Sequence, residues 1–322
     1  MLINNFFRTA HTGNKLKKIS FILHGKHLRK YRIQYKTEKY LRKEFETDFY
    51  ITKTKLAAEK LAQKIVEAGT HYLIAVGGDG TMHEVINGVM RVPKEKRREL
   101  IIGLLPIGSG NDFARTMKLS PKISRLIELI KQNKVLSIDV GKIECKTLEG
   151  NDTTTYFNNI AGIGLDAEVA KRVNEGNKTY GPNAAYYYAT IKSFLNYRKK
   201  KVKITSNEFN YEGNVLLLSF ANAKYFGSGL GIAPHAKVND GKMALTLAGD
   251  VSLFDYLKNV GTIRKCVKVK HPQIIYSEAG SITVEPIGEP CFIEADGEMI
   301  GKIPLKATML HKEINFLTDI LD

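Results

Sequence analysis

Val76-Gly77-Gly78-Asp79-Gly80-Thr81 is the stretch on which the reading of this chain turns. It follows Tyr72–Val76 (YLIAV), a nearly all-apolar run of the kind a parallel strand shows when both faces of its sheet are covered. It precedes Met82–Met90, which has helical periodicity. Three glycines between a strand and a helix let the backbone turn sharply and aim N–H groups at an anion, and the helix N-terminus adds a favourable dipole. The spacing is neither the Walker pattern nor G-x-G-x-x-G, since no Lys-Ser/Thr follows. Among donors that attract phosphate, a carboxylate at Asp79 makes chemical sense as a Mg²⁺ ligand or a proton acceptor. A plain strand-to-helix turn is the other reading of the same residues.

A second loop repeats the arrangement. Leu100–Leu105 (LIIGLL) is another buried strand, and Pro106-Ile107-Gly108-Ser109-Gly110-Asn111-Asp112-Phe113-Ala114-Arg115 leads through glycines into a helix over Asn111–Lys118. Neighbouring parallel strands bring both loops to the carboxyl edge of one sheet, where α/β folds bind ligands. Lys18–His24 reads as a further strand, Lys55–Ala68 as a helix with Leu56, Leu61, Ile65 and Ala68 on one stripe, and Ile123–Gln132 as an amphipathic helix. This alternation predicts an α/β domain over residues 1–139. Beyond Asp139 many short strand-like segments separated by Gly, Asn, Asp or Pro predict a β-rich, sandwich-like domain over 140–307. Helical stretches at Asp166–Asn174, Ala184–Tyr197 and Leu253–Gly261 interrupt it, and residues 308–322 are expected to pack back on the first domain.

The chain has 322 residues, is 43% hydrophobic and carries a formal net charge of +16. It is long enough for two domains, and its hydrophobic content excludes disorder as the main state. No run approaches the roughly 18–20 apolar residues of a membrane span. The N-terminus, MLINNFFRTAHTGNKLKK, lacks the pattern of a secretory signal. Cys145, Cys266 and Cys291 are too few and too far apart for a disulfide framework or a zinc ribbon. A reducing, cytoplasmic, soluble protein is expected. The excess charge suits nucleic acid, an anionic membrane face or a phosphorylated substrate, against a merely solvated lysine-rich surface. Some of it is clustered: residues 15–43 hold eleven Lys or Arg, Arg198–Lys203 reads RKKKVK, and Lys265, Lys268 and Lys270 precede His271.

GGDGT-MHEVINGV together with LPIGSGNDFAR resembles the soluble diacylglycerol-kinase-type lipid kinases of bacteria, relatives of sphingosine and ceramide kinases. Downstream, Asn159–Glu168 (NIAGIGLDAE), Ala221–Pro234 (ANAKYFGSGLGIAP), Ala236–Met243 (AKVNDGKM) and Asp296-Gly297-Glu298 follow in the family's order. The resemblance implies an NAD-kinase/diacylglycerol-kinase-like α/β domain joined to the β-rich domain, with the active site between them. It implies that Gly77, Gly78, Asp79, Gly80 and Thr81, with Gly108, Ser109, Gly110 and Asn111, cradle ATP phosphates, and that Thr52 lies near the nucleotide. Asp79, Asp112 and Asp139 would form a carboxylate and water network around catalytic Mg²⁺. Asp240, with carbonyls of Lys237 and Lys242, would hold a structural Mg²⁺, a loop that local sequence reads equally as an Asp-Gly turn. Asp296-Gly297 is a favoured two-residue hairpin turn; by resemblance this tip is catalytic, Glu298 deprotonating the lipid hydroxyl, with Asp79 as the rival base.

The chain departs from the family's usual pattern. Leu23-His24-Gly25-Lys26-His27 stands where members carry Asn-Pro-x-Ser-Gly, and FGSGL lacks one glycine. His83 is read as a surface or packing residue, and Tyr186–Tyr188 as core aromatics rather than the lining of a lipid cleft. The function expected is ATP- and Mg²⁺-dependent phosphorylation of a membrane lipid, diacylglycerol first. A sphingoid base is the alternative within the class, NAD kinase is a more distant enzyme, and a basic binding module on a decayed kinase fold is the non-enzyme rival. The expected partner is a lipid at an anionic membrane, reached by peripheral association through the clusters at Lys15–Lys43 and Arg198–Lys203. Nucleic acid is not expected, and a homodimer is admitted.

Overall fold

The computed structural model describes residues 16–25, 30–175 and 182–320. Strands β1 (Lys17–Leu23), β2 (Phe45–Ile51), β3 (Tyr72–Gly77) and β4 (Ile101–Pro106) form a parallel sheet in the order β2-β1-β3-β4. Successive side chains on a strand point to opposite faces, and here both faces are covered. Ile22, Leu73, Ala75, Ile102 and Leu104 pack with α2 (Ala57–Glu67) and α3 (Asp79–Met90). Phe21, Leu23, Ile74, Val76 and Leu105 pack on the other side with α1 (Lys30–Leu41) and α6 (Ile123–Gln132). The short helices α4 (Lys94–Arg97) and α5 (Asp112–Thr116) flank β4 in sequence. Lys15, Lys26 and Arg29 of the first basic cluster lie outside the described residues.

Two helix starts differ from the sequence reading. Helix α3 begins at Asp79, so the carboxylate of the glycine loop sits in the first helical turn. Helix α2 begins at Ala57, because Leu56 takes a left-handed backbone (φ 62°) that ends helical continuity with Lys55. The Glu84 carboxylate accepts the N–H groups of Leu56 (3.0 Å) and Ala58 (2.9 Å), supplying a partner that local sequence does not reveal. Left-handed backbone costs an L-residue about 1–2 kcal/mol, and glycine is tolerated at this helix position. Leu56 is half exposed, so little packing is lost on truncation. Leu56→Gly is therefore expected to raise stability by about 1 kcal/mol, read as a higher denaturation midpoint at unchanged slope.

The second half forms two layers. One sheet runs β12 (Ile274–Ala279), β11 (Met243–Ala248), β10 (Leu217–Ala221), β7 (Ile160–Gly164), β14 (Phe292–Ala295) and β15 (Glu298–Leu317). The other runs β9 (Tyr211–Val215), β8 (Lys200–Thr205), β13 (Ser281–Pro286), β15, β5 (Val135–Lys146) and β6 (Asp152–Phe157). Ile163, Phe220 and Ile293 from the first meet Phe157, Ile204 and Leu305 from the second in one core, so the sandwich expected from sequence is present. Helices α7 (Leu165–Glu175), α8 (Pro182–Asn196) and α9 (Leu253–Arg264) accompany it.

Strand β15 is 20 residues long, well beyond the short strand-like segments that sequence suggests for this domain. It serves the sandwich first and then pairs in parallel with β4 through Asn315–Ile101 and Phe316–Ile102. Register shifts between Lys302 and Leu305, and between Leu310 and Ile314, let one strand turn from one layer into the next. Phe316 packs edge-on against Phe113 (5.4 Å between ring centres), which fixes α5 against this shared strand.

Candidate active site

The two glycine loops leave the carboxyl ends of β3 and β4 and touch backbone to backbone. The N–H of Ile107 donates to the carbonyl of Gly77 (2.9 Å). A Cβ on Gly108 would lie 2.3 Å from the Cα of Gly78, so no side chain fits there without parting the loops. Asn111, at φ 54°, closes the second loop on itself: its side chain accepts from the Gly108 N–H (3.0 Å) and donates to the Gly108 carbonyl (2.8 Å). Ser109 is exposed on that loop. Gly78, Gly80 and Thr81 flank or open α3, whose first intrahelical bond runs from Met82 N–H to the Gly78 carbonyl (3.1 Å). The preceding N–H groups are the free donors a helix N-terminus offers an anion. Thr52, nearly buried at the end of β2, accepts from the Gly25 N–H (3.2 Å) and so shapes the neighbouring loop of the same edge.

Asp79 and Asp112 come together between these loops. The Asp79 carboxylate accepts the N–H groups of Asp112 and Phe113 (3.2 Å each), capping α5. Asp112 accepts from the Ser228 N–H (2.8 Å); its Oδ1 is buried without a hydrogen bond, with Arg115 Nε 3.9 Å away. The donor comes from the FGSGL segment of the second domain, where Gly227, Ser228 and Gly229 are all left-handed (φ 57°, 65° and 103°). Burial raises the Asp79 pKa. Burial and the neighbouring Asp79 charge push Asp112 up to about 6. A half-buried and a buried carboxylate, one of them with an oxygen that makes no hydrogen bond, form a donor set that suits a hard divalent cation keeping some of its waters. Among the described residues no group of three His, Cys, Asp or Glu side chains is placed to hold a metal.

Asp139 is not the third member of this pair in the structure. It is fully buried, and its oxygens accept from Gly241 N–H (2.6 Å), Lys312 N–H (2.6 Å) and His311 (3.0 Å). It thus ties the 238–241 loop to the bend in β15. Asp240 turns back on its own loop, accepting from Lys242 N–H (3.1 Å), while the Lys242 ammonium lies 3.6 Å from Glu278 and Lys237 is exposed. An Asp-Gly turn accounts for the hydrogen bonding within this loop, with Gly241 at the positive φ (77°) such a turn uses.

The other wall is the hairpin between β14 and β15. Asp296 and Gly297 both have positive φ (51° and 86°), as a tight two-residue turn requires. Asp296 is almost fully enclosed: it accepts from the N–H groups of Asn158 (3.2 Å), Asn159 (3.0 Å) and Ile160 (3.2 Å), and from His83 Nδ1 (3.0 Å). Both of its oxygens are so engaged, and these bonds hold the hairpin tip against β7 and α3. Burial alone would lower the His83 pKa, but the Asp296 hydrogen bond and the charges of Asp296, Glu298 and Glu59 outweigh it and raise it. Glu294 accepts from the Gly297 N–H (2.8 Å) behind the turn; burial and the Asp166 charge raise its pKa well above the carboxylate range.

Glu298 is the hairpin carboxylate left accessible. Its Oε2 lies 2.7 Å from the ammonium of Lys55, which reaches over from the loop before α2. Lys55 is 71% exposed, and such pairs contribute at most about 1 kcal/mol, so an incoming hydroxyl can displace it. His83, Glu84 and Lys55 were not expected in the site. His83 lies one turn after Asp79 on α3, which is a signal that sequence carries. Glu84 and Lys55 act on partners distant in sequence and carry none.

Residues 4–143 match the family described as "Diacylglycerol kinase catalytic domain", and residues 159–318 match "YegS C-terminal NAD kinase beta sandwich-like domain". The chain belongs to the diacylglycerol kinase family. A Staphylococcus carnosus diacylglycerol kinase is 26% identical over 274 residues, covering 85% of each chain. The Staphylococcus aureus enzyme is 27% identical over 276 residues, 84% of this chain and 82% of that one. The crystal structure of a Bacillus anthracis protein assigned as a diacylglycerol kinase superposes with a TM-score of 0.75 at 25% identity, covering 95% and 99% of the chains. Yeast NADH kinase, at 13% identity and a TM-score of 0.53, covers 95% of this chain and 84% of its own and shares the fold. The protein is thus a kinase, and its catalytic domain implies ATP use. Among the described residues, no helix is long and apolar enough to cross a membrane.

The raised Asp112 pKa sets a pH dependence for this kinase. Its folded value, about 6, lies above the ordinary 3.8, so the folded form holds the proton more tightly. The stability this contributes is complete below about pH 4 and is lost as pH rises through about 6, a fall of about 3 kcal/mol. Without divalent cation, Asp112→Asn is expected to remove most of that decline in melting temperature between pH 4 and 7. An unchanged decline would place the carboxylate in a solvated setting.

Proposed function

We propose that this kinase transfers the γ-phosphoryl group of Mg²⁺-ATP to the free hydroxyl of diacylglycerol, giving phosphatidic acid. The observation that carries the reading is the tie between the two walls. The hairpin bearing Glu298 is held against the helix of the first glycine loop by the Asp296–His83 contact, 3.0 Å long. A carboxylate base is thereby presented beside loops built to hold phosphates. The acceptor follows from the relatives, which are named diacylglycerol kinases.

Glu298 takes the proton of the acceptor hydroxyl. That oxygen bonds to the γ-phosphorus as the bond to the bridging oxygen breaks, and the electron pair leaves with ADP. Backbone N–H groups at Gly78–Thr81 and in the 108–111 loop orient the phosphates, and Asp79 and Asp112 would hold Mg²⁺. When bound, the ion supplies neutralisation of the developing phosphate charge. Positioning and electrostatics therefore carry most of the rate effect.

The test incubates the protein with labelled ATP and mixed micelles of diacylglycerol, a sphingoid base or ceramide, and separately with NAD. Phosphatidic acid is the expected product. Glu298→Gln is expected to lower its turnover at least about a hundredfold with the KM for ATP little changed. Phosphorylation of another acceptor in preference would reassign the substrate, and full turnover in Glu298→Gln would move the base elsewhere.

A further inference from the structure

Helices α8 and α9 lie side by side on the second domain. Phe194 stacks near Tyr256 (5.2 Å between rings), and the Arg264 guanidinium sits 4.9 Å from the Tyr187 ring. Their outer sides are apolar. On α8, Tyr188, Ile191 and Leu195 recur at spacings of three and four, and Leu195 is 71% exposed. On α9 no residue is buried, and Phe254 is 74% exposed with Leu257 beside it one turn on. Tyr186 packs inward as core, whereas Tyr188 faces solvent, so the tyrosine run serves two environments.

We propose that this outer face of α8 and α9 is where the kinase docks on an anionic lipid bilayer. The inference deepens the lipid-kinase reading and rests on it for the choice of partner. Large apolar side chains gathered on one face mark a binding surface rather than ordinary exposure. The cations around them select the occupant. Lys192, Lys258, Arg264 and Lys265 border the apolar residues, and none pairs with a carboxylate among the described residues. Apolar side chains ringed by cations that make no salt bridge suit the boundary between acyl chains and anionic headgroups. A second copy meeting this face by two-fold symmetry would set those cations against their own equivalents.

The inner side of the same helices touches the acceptor wall of the active site. Tyr186 meets Phe226 edge-on, and the Gly231 N–H donates to the Ile263 carbonyl of α9 (3.0 Å). Between these anchors, Ser228 donates to Asp112. A lipid entering from this face thus meets the loop that borders the carboxylate pair. By contrast, the Arg198–Lys203 cluster is largely spent locally: Lys199, Lys200 and Lys201 pair with Asp250, Glu289 and Glu212.

The experiment is co-sedimentation of the full chain with vesicles of phosphatidylcholine alone or with an equal part of phosphatidylglycerol, without ATP. The triple variant Leu195→Ser, Phe254→Ser, Leu257→Ser is expected to lower partitioning to the anionic vesicles at least about tenfold. The charge reversals Lys192→Glu and Lys258→Glu are expected to do the same, while Lys200→Gln with Lys201→Gln changes it little. Phosphorylation of a short-chain, water-soluble diacylglycerol should persist in all of them. Undiminished vesicle binding in the triple and charge-reversed variants overturns the proposal. So does loss of a dimer in those variants with vesicle binding retained. Vesicle binding through this face in a protein that phosphorylates no lipid would uphold the docking surface and sink the lipid-kinase reading.

Discussion

Asp79→Asn is expected to lower ATP-dependent lipid phosphorylation by about a thousandfold or more while leaving the fold intact. The substitution keeps the side chain's shape and one acceptor oxygen, so one of the two N–H bonds that cap α5 survives. What it removes is the charge. Asp79, half-buried, and Asp112, buried, lie together between the two glycine loops, and a pair of carboxylates there would offset the charge of a divalent cation. In the absence of that cation the wild-type pair repels itself, which is part of why Asp112 sits at about 6. Neutralising Asp79 relieves this repulsion, so the melting temperature measured at pH 7.5 without Mg²⁺ should not fall. The stabilisation conferred by added Mg²⁺ should shrink in the same variant. A large loss of turnover with no loss of stability separates a chemical role from a structural one. Near-normal turnover would remove Asp79 from the site.

The contrast with Glu298→Gln assigns the two carboxylates that sequence leaves as rivals for the base. Loss of an organiser at Asp79 should weaken the apparent affinity for Mg²⁺-ATP together with kcat. Loss of the base should lower kcat and the acidic limb of its pH profile while nucleotide affinity stays near normal. Equal effects on nucleotide affinity from both variants would contradict the division of roles.

The parts of this fold legible in sequence are those specified by local pattern. YLIAV and LIIGLL read as covered parallel strands because their residues are apolar on both faces, and Asp296-Gly297 reads as a hairpin because few other pairs tolerate two positive φ values. The close approach of the two glycine loops is legible for the same reason, since backbone contact there excludes side chains. What sequence did not show depends on partners far along the chain. Asp139 has the residue type of a metal ligand, yet its oxygens are drawn to loops 102 and 173 residues away. Glu84 looks like an ordinary helix carboxylate and caps another helix. Lys55 sits in a loop that no local rule singles out, and only tertiary packing brings it 243 residues along the chain to Glu298. The length of β15 escaped because two register shifts break its pattern near Pro304 and Lys312.

Asp296→Ala is expected to be the most damaging exchange for the structure. The Asp296 side chain is 1% exposed and accepts three backbone N–H groups and His83. Truncation leaves those donors facing a void, and each buried donor left unmet costs about 1–3 kcal/mol. Ala also takes the left-handed backbone at φ 51° less readily than Asp. A loss of about 3–5 kcal/mol is therefore expected in chemical denaturation, enough to empty much of the folded state of a marginally stable protein. Asp296→Asn keeps one acceptor and the tolerance for that backbone, so it should fold with a smaller loss. His83→Asn removes the link from Asp296 to α3 and a longer contact to Asn87 (3.4 Å), and should cost about 1–2 kcal/mol. These milder variants make the role testable in a folded enzyme. If Asp296 holds Glu298 in place, both should lower kcat while the acidic limb of the pH profile stays where it is. If Asp296 took the proton itself, Asp296→Asn would abolish that limb, whereas Glu298→Gln would leave it.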